Sequence, residues 1–139
     1  MSLTIITAEF LRKQKACKEG VAWYRAHPDI HDWPWEVVCA ALEEDGQKEW
    51  SRWVRLKVAI YGTAEDRAAL RDDPDAWVRR AVAIYGSAED RTALRNDPDA
   101  GVRRAVAIYG SAEDRTALMN DPGTWVRWAV EYYGRSDPK

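Results

Sequence analysis

The residues of this chain best equipped for chemistry come in pairs at a fixed interval. Arg79-Arg80 and Arg103-Arg104 stand 24 residues apart, interleaved with Asp73, Asp97 and Asp121 at the same interval. At about 100° per residue, the two arginines of a pair point to different flanks of a helix. Arg79 suits a charge-assisted bond to an aspartate of its own or a neighbouring unit, Asp73 or Asp97. Arg80 and Arg104 are left for solvent or a partner. Three acidic pairs, Glu65-Asp66, Glu89-Asp90 and Glu113-Asp114, have the composition of acid–base dyads. Each falls where a helix begins, however, and there carboxylates cap free N–H groups and complement the dipole. His27 and His31 flank Pro28-Asp29-Ile30. As metal ligands they need two further donors, and the proline spoils i, i+4 geometry, so a surface loop is expected. No activated nucleophile, Gly-rich phosphate loop or metal spacing accompanies them. A non-enzymatic protein without a cofactor is the expectation.

The elements that position these groups are repeats. Trp77 to Ala100 reads WVRRAVAIYGSAEDRTALRNDPDA, and Gly101 to Thr124 reads GVRRAVAIYGSAEDRTALMNDPGT. Trp53 to Ala76 precedes them in similar form, and the half unit Trp125 to Gly134 follows. Such self-similarity means a stacked array, because one short unit cannot bury enough surface alone. Within a unit, Asp97-Pro98 predicts an N-cap with proline at the first helical position. Val102, Ala105, Val106 and Tyr109 form an i, i+3, i+4, i+7 stripe, and Gly110 is expected to end the helix in a left-handed conformation. Ser111 to Asp114 opens a second, shorter helix with Ala117 and Leu118 inward, either α or 3₁₀. Stacking turns columns into ladders, among them Tyr61, Tyr85, Tyr109 and Tyr133.

Residues 1–50 do not repeat and are expected to form a helical N-terminal cap on an array of about 3.5 repeats over 51–139, all within one all-α domain. Thr7 caps a first helix with Phe10, Leu11 and Cys17 inward. A second runs from Lys18 to Ala26, interrupted near Gly20, and a third, started by Asp32 and Pro34, from Trp35 to Glu44. Cys17 and Cys39 lie in helical patterns and are expected as small core residues rather than a disulfide. Eight tryptophans can fill gaps between alanine-rich helices or anchor a binding surface, and their number alone does not separate the two. The net charge of -2 supplies no bulk field toward nucleic acid or membrane. No run approaches a membrane span, and Met1 to Thr7 lacks the marks of a signal peptide, so a cytoplasmic protein is expected.

The motif D-P-D-x-x-V-R-x-x-V-A followed by a leucine, over residues 53–134, resembles the leucine-rich repeat variant family and, more broadly, short HEAT-like repeats. That resemblance implies a right-handed α-solenoid and no single function. One type of family member carries a cysteine-ligated iron–sulfur cluster ahead of its repeats. Cys17 and Cys39 are too few for the usual four thiolates, so that feature does not carry over. FLRKQKACKEGVAWYRAH with the later KEWSRW also resembles a segment of small phage and mobile-element proteins.

One stripe gathers the remaining polar and aromatic signals: Leu56, Ile60, Arg80, Ile84, Arg104, Ile108, Trp128 and Tyr132. Arginine flanked by apolar and aromatic groups is typical of the core of a protein interface. Trp77 and Trp125 border it, and Gly101 breaks the column of Trp53, Trp77 and Trp125, leaving a notch. The expected function is therefore a protein-binding module whose partner is another protein or a ribonucleoprotein complex. Its most specific form is a mobile-element-encoded, anti-CRISPR-like inhibitor that blocks a host effector complex. A nucleic-acid-binding solenoid and a scaffold that self-assembles, as a homodimer through Trp128, Tyr132 and Tyr133, are the alternatives.

Overall fold

The computed structural model describes residues 3–138, which divide between two compact units, Met1–Asp66 and Arg67–Lys139. Among the described residues there are ten α-helices and one two-stranded ladder, so the chain is all-α in substance.

The first unit opens with β1 (Ile5–Ile6), which pairs antiparallel with β2 (Trp33–Pro34), Ile5 opposite Pro34 and Ile6 opposite Trp33. Between them lie α1 (Ala8–Lys13), α2 (Lys18–Arg25) and a 3₁₀ turn, Pro28–Ile30. After β2 come α3 (Trp35–Glu44) and α4 (Lys48–Tyr61), which pack on each other, and then α5 (Ala64–Leu70), within which the boundary between units falls. Thr7 caps α1 as expected, its Oγ1 accepting from Phe10 N at 2.9 Å. Three expectations need correction. Helix α2 runs unbroken through Gly20, and the interruption sits earlier, at Lys15, whose φ is 56°. Cys17 is exposed and caps α2 through its Sγ, whereas Cys39 is buried against the Ser51 carbonyl. Asp32 does not start α3: it takes φ 60°, and its N–H donates to the Tyr24 hydroxyl at 3.2 Å. Tyr24 in turn donates to the Ile6 carbonyl at 2.9 Å, tying the ladder to α2.

Asp66 is the polar centre of this unit. It is fully buried and accepts from Thr4 Oγ1, Thr4 N, Thr63 N and Trp35 Nε1. Burial pushes its carboxyl up, but these donors outweigh burial and hold it below the ordinary aspartate range.

The second unit alternates long and short helices: α6 (Ala76–Tyr85), α7 (Ala88–Leu94), α8 (Ala100–Tyr109), α9 (Ala112–Leu118) and α10 (Thr124–Tyr133). The short helices are α, seven residues each. Helix α8 packs between α6 and α10, with α7 and α9 laid against them. Buried valines at 78, 82, 102, 106 and 126 form the seam, each contributing roughly 1.5–3 kcal/mol by burial. Because α8 is covered on both sides, its buried arc includes Ala107, while Tyr109 on the last turn is 51% exposed rather than inward. Leu118 is buried, but Ala117 is exposed.

Two punctuation marks work differently from their expected roles. The N-caps of α6 and α8 are Asp75 and Asp99, not Asp73 and Asp97. The Asp97 carboxylate is committed elsewhere: it closes a turn onto Asp99 N at 2.9 Å and receives Arg79. Gly110 is extended, with φ -82° and ψ -172°, so no left-handed residue is involved. Glycine is required there by crowding instead. A Cβ would stand 2.4 Å from both the Val106 carbonyl oxygen and Asp114 Oδ2. That carboxylate closes a capping box with Ser111.

The tryptophans divide between core and surface. Trp35 is buried, but Trp33, Trp77, Trp125 and Trp128 are all exposed. Buried alanine and valine line the helix contacts of the second unit.

Candidate interaction surface

The arginine columns separate cleanly in the second unit. Arg79 reaches Asp97 with Nε and Nη2, and Arg103 reaches Asp121 the same way, at 2.7 and 3.2 Å. Each also donates Nη1 to a backbone carbonyl, Asp73 or Asp97. A second belt joins the short helices, Arg95 Nε to Asp114 at 2.6 Å and Arg71 Nε to Asp90 at 3.4 Å. Arg115 holds Asp137 through two bonds of 2.6 Å. Hydrogen bonding to aspartate raises Arg79, Arg103 and Arg115 further above their ordinary value. Asp121 and Asp114 sit below theirs: burial opposes ionisation but is outweighed by bonds from Arg103 and Gly123 N, and from Ser111 N and Arg95.

The next column is deployed otherwise. Each long helix turns a narrow face to solvent: Trp77, Arg80 and Ile84 on α6; Gly101, Arg104 and Ile108 on α8; Trp125, Trp128 and Tyr132 on α10. The repeated 18-residue bonds keep these helices in register, so the three faces adjoin. Arg80 and Arg104 are half-buried, with Ile84 and Ile108 beside them, while Trp77 and Trp125 stand 57% and 70% exposed. Leu56 and Ile60 are half-buried on α4, in the first unit.

Arg80 places its guanidinium carbon 5.3 Å from the centroid of the Trp77 ring, a cation–π arrangement. Arg104 has no such ring, because Gly101 stands where Trp77 stands in α6. Among the described residues the Arg104 guanidinium makes no hydrogen bond, ion pair or ring contact, and its Nε is shielded from solvent. Arg91 Nε is also unpaired, but its Nη1 donates to the Gly86 and Ala83 carbonyls. On α10, Trp128 stacks on Tyr132 at 5.0 Å, Trp125 meets Trp128 edge-on at 6.3 Å, and Arg135 caps the Tyr132 ring at 4.8 Å.

One feature of the first unit is barely legible in the sequence. A cavity of about 340 Å³ opens among Trp23, Trp50, Trp53, Leu11 and Leu42, with Cys17 at its wall. Its one legible trace is Trp50 and Trp53 three apart on α4. His27 and His31 stack on Trp23 and Tyr24, and each donates a ring N–H to a backbone carbonyl at 2.7 Å. Among the described residues no three His, Cys, Asp or Glu side chains are grouped to hold a metal ion, and no helix is long and apolar enough to cross a membrane. Comparison with protein-family models, with curated proteins and with solved structures finds no match to this chain.

Proposed function

We propose that this chain is a non-enzymatic protein-binding module, a right-handed α-solenoid whose long-helix face covers a surface on a protein or ribonucleoprotein partner. The observation that carries this is the division of labour among arginines. Those of the neighbouring column are consumed by aspartates and carbonyls, while Arg80 and Arg104 lie among exposed aromatic and aliphatic side chains. Aromatic and arginine residues in a partly desolvated setting are what binding hot spots contain. A mobile-element-encoded inhibitor that occludes a host effector complex is the specific form of this proposal, and it rests on the repeats and the N-terminal pattern alone. Helix α10 argues against stacking of copies end to end. Glu131, exposed, occupies the column in which Ala83 and Ala107 are buried, and a charge there opposes burial against a further helix.

The test is a pull-down from host lysate with the wild-type chain and with a variant combining Arg80→Ala, Arg104→Ala and Trp128→Ala. The expected outcome is specific partners on the wild type, lost from the variant, with helical circular dichroism unchanged. Partners retained equally by the variant exclude this face. Binding to a duplex or single-stranded oligonucleotide that weakens steeply with salt moves the assignment to nucleic acid.

A further inference from the structure

Resting on the protein-binding proposal, we infer that the face of α6, α8 and α10 receives an acidic segment of a partner protein: an aspartate or glutamate carboxylate on Arg104, and an adjoining apolar side chain in the notch at Gly101. Arg104 is the starting point. Its Nε is shielded from solvent, so the two Nη groups, which make no bond among the described residues, are the donors a partner can reach. Among the described residues of the unit none supplies an acceptor for them. The nearest carboxylates in sequence are already engaged, Asp97 and Asp121 with Arg79 and Arg103, and Asp99 with the Val102 N–H at 3.1 Å. An ionised carboxylate from outside complements Arg104 in charge and matches the planar fork of guanidinium donors.

Gly101 supplies the space. In α6 the equivalent position holds Trp77, whose ring lies under Arg80. In α8 a Cβ at Gly101 would meet only Asp99 Oδ1, at 2.9 Å, and Trp77 and Trp125, which hold the same position on the neighbouring helices, are both exposed. Arg80 forms a second cation one helix away. Packed helices lie about 8–10 Å apart. An extended chain advances roughly 3.3 Å per residue, so acidic residues two to four apart can meet both arginines.

A partner carboxylate fits better than a nucleic-acid backbone. Residues 67–139 hold twelve Lys/Arg against twelve Asp/Glu, so no net field draws a polyanion. Of the arginines on this face, Arg80 and Arg135 already lie on rings, whereas phosphate binding needs several unpaired cations on one face. The rings are also partly taken as stacking platforms, Trp77 by Arg80 and Trp128 by Tyr132.

The test is selection of a displayed library of random dodecapeptides on the immobilised full-length chain, followed by titration of the winners against variants. A fluorescent dT20 oligonucleotide serves as the counter-probe. Winners enriched in Asp or Glu beside an aromatic or aliphatic residue are expected. Their affinity should fall about tenfold or more with Arg104→Gln and with Gly101→Trp, and Arg104→Lys should restore only part of it. Winners that lack acidic residues yet are lost with Trp128→Ala overturn this inference while leaving the protein-binding proposal standing. Winners indifferent to every substitution on the face, an empty selection, or tight salt-sensitive dT20 binding overturn both. Library composition is read on the wild type, so a variant that fails to fold does not obscure the result.

Discussion

Arg79 grips Asp97 of the following repeat by two parallel bonds, Nε to Oδ2 at 2.8 Å and Nη2 to Oδ1 at 3.1 Å. Both side chains are largely shielded, at 14% and 4% exposure, and Nη1 is occupied by the Asp73 carbonyl at 2.7 Å. One guanidinium thus ties the turn before its own helix to the turn before the next. Replacing it strands a buried carboxylate. Arg79→Ala is expected to cost about 2–4 kcal/mol, and Arg79→Lys about half as much, since lysine keeps the charge but loses the planar fork. Urea denaturation followed by circular dichroism measures both. Equal stability of Arg79→Lys and wild type would show that charge alone, and not geometry, matters.

Acid should loosen both units. Asp66, Asp114 and Asp121 have carboxyls held below their ordinary range. A group whose folded pKa is depressed contributes stability that is fully present above its unfolded value, about 3.9, and is lost as pH falls through the folded value. Stability is therefore expected to be level from pH 7 to about pH 5 as far as these groups are concerned, and to decline below about pH 4. Urea midpoints at pH 7, 5, 4 and 3 check this. Asp114→Asn should lower stability at pH 7 and flatten the decline. A stability that rises on acidification would contradict the assignment.

Two glycines should respond in opposite ways to an added methyl group. At Gly110 the Cβ meets a backbone carbonyl and a capping carboxylate at 2.4 Å, so Gly110→Ala is expected to cost about 2–4 kcal/mol. At Gly101 the Cβ meets only Asp99 Oδ1, at 2.9 Å. The equivalent aspartate in α6, Asp75, caps the adjacent N–H, that of Trp77, at 2.8 Å, so the carboxylate has a second acceptable position. Gly101→Ala should therefore be neutral or gain up to about 1 kcal/mol from helix propensity. Thermal melts of the two variants decide, and similar losses at both sites would refute the distinction.

The repeat made the helices and the arginine–aspartate pairing legible, because a 24-residue period and an i, i+3, i+4 stripe survive any detail of packing. What eluded the sequence depended on competition between groups. Asp97 and Asp99 are both good caps by type, and only the claim of Arg79 on Asp97 decides which one caps α8. Gly110 looks like a left-handed stop until the Asp114 carboxylate crowds it. Cys17 follows a helical pattern that the turn at Lys15 breaks. The exposed row of Arg80, Arg104 and the aromatics was visible as a stripe. That Arg104 lacks a partner was not, since it depends on Asp97 and Asp121 being taken by Arg79 and Arg103.

The forward reach of Arg79 and Arg103 makes copy number a free variable. Excising residues 80 to 103 would bring Asp121 eighteen positions after Arg79, the same interval that Asp97 occupies now. A guanidinium would find its carboxylate either way, so loss or gain of one whole segment leaves every clasp intact. Near-identical tracts invite such unequal exchange, and the length of the outward-facing row can then change in steps without redesign of the interior.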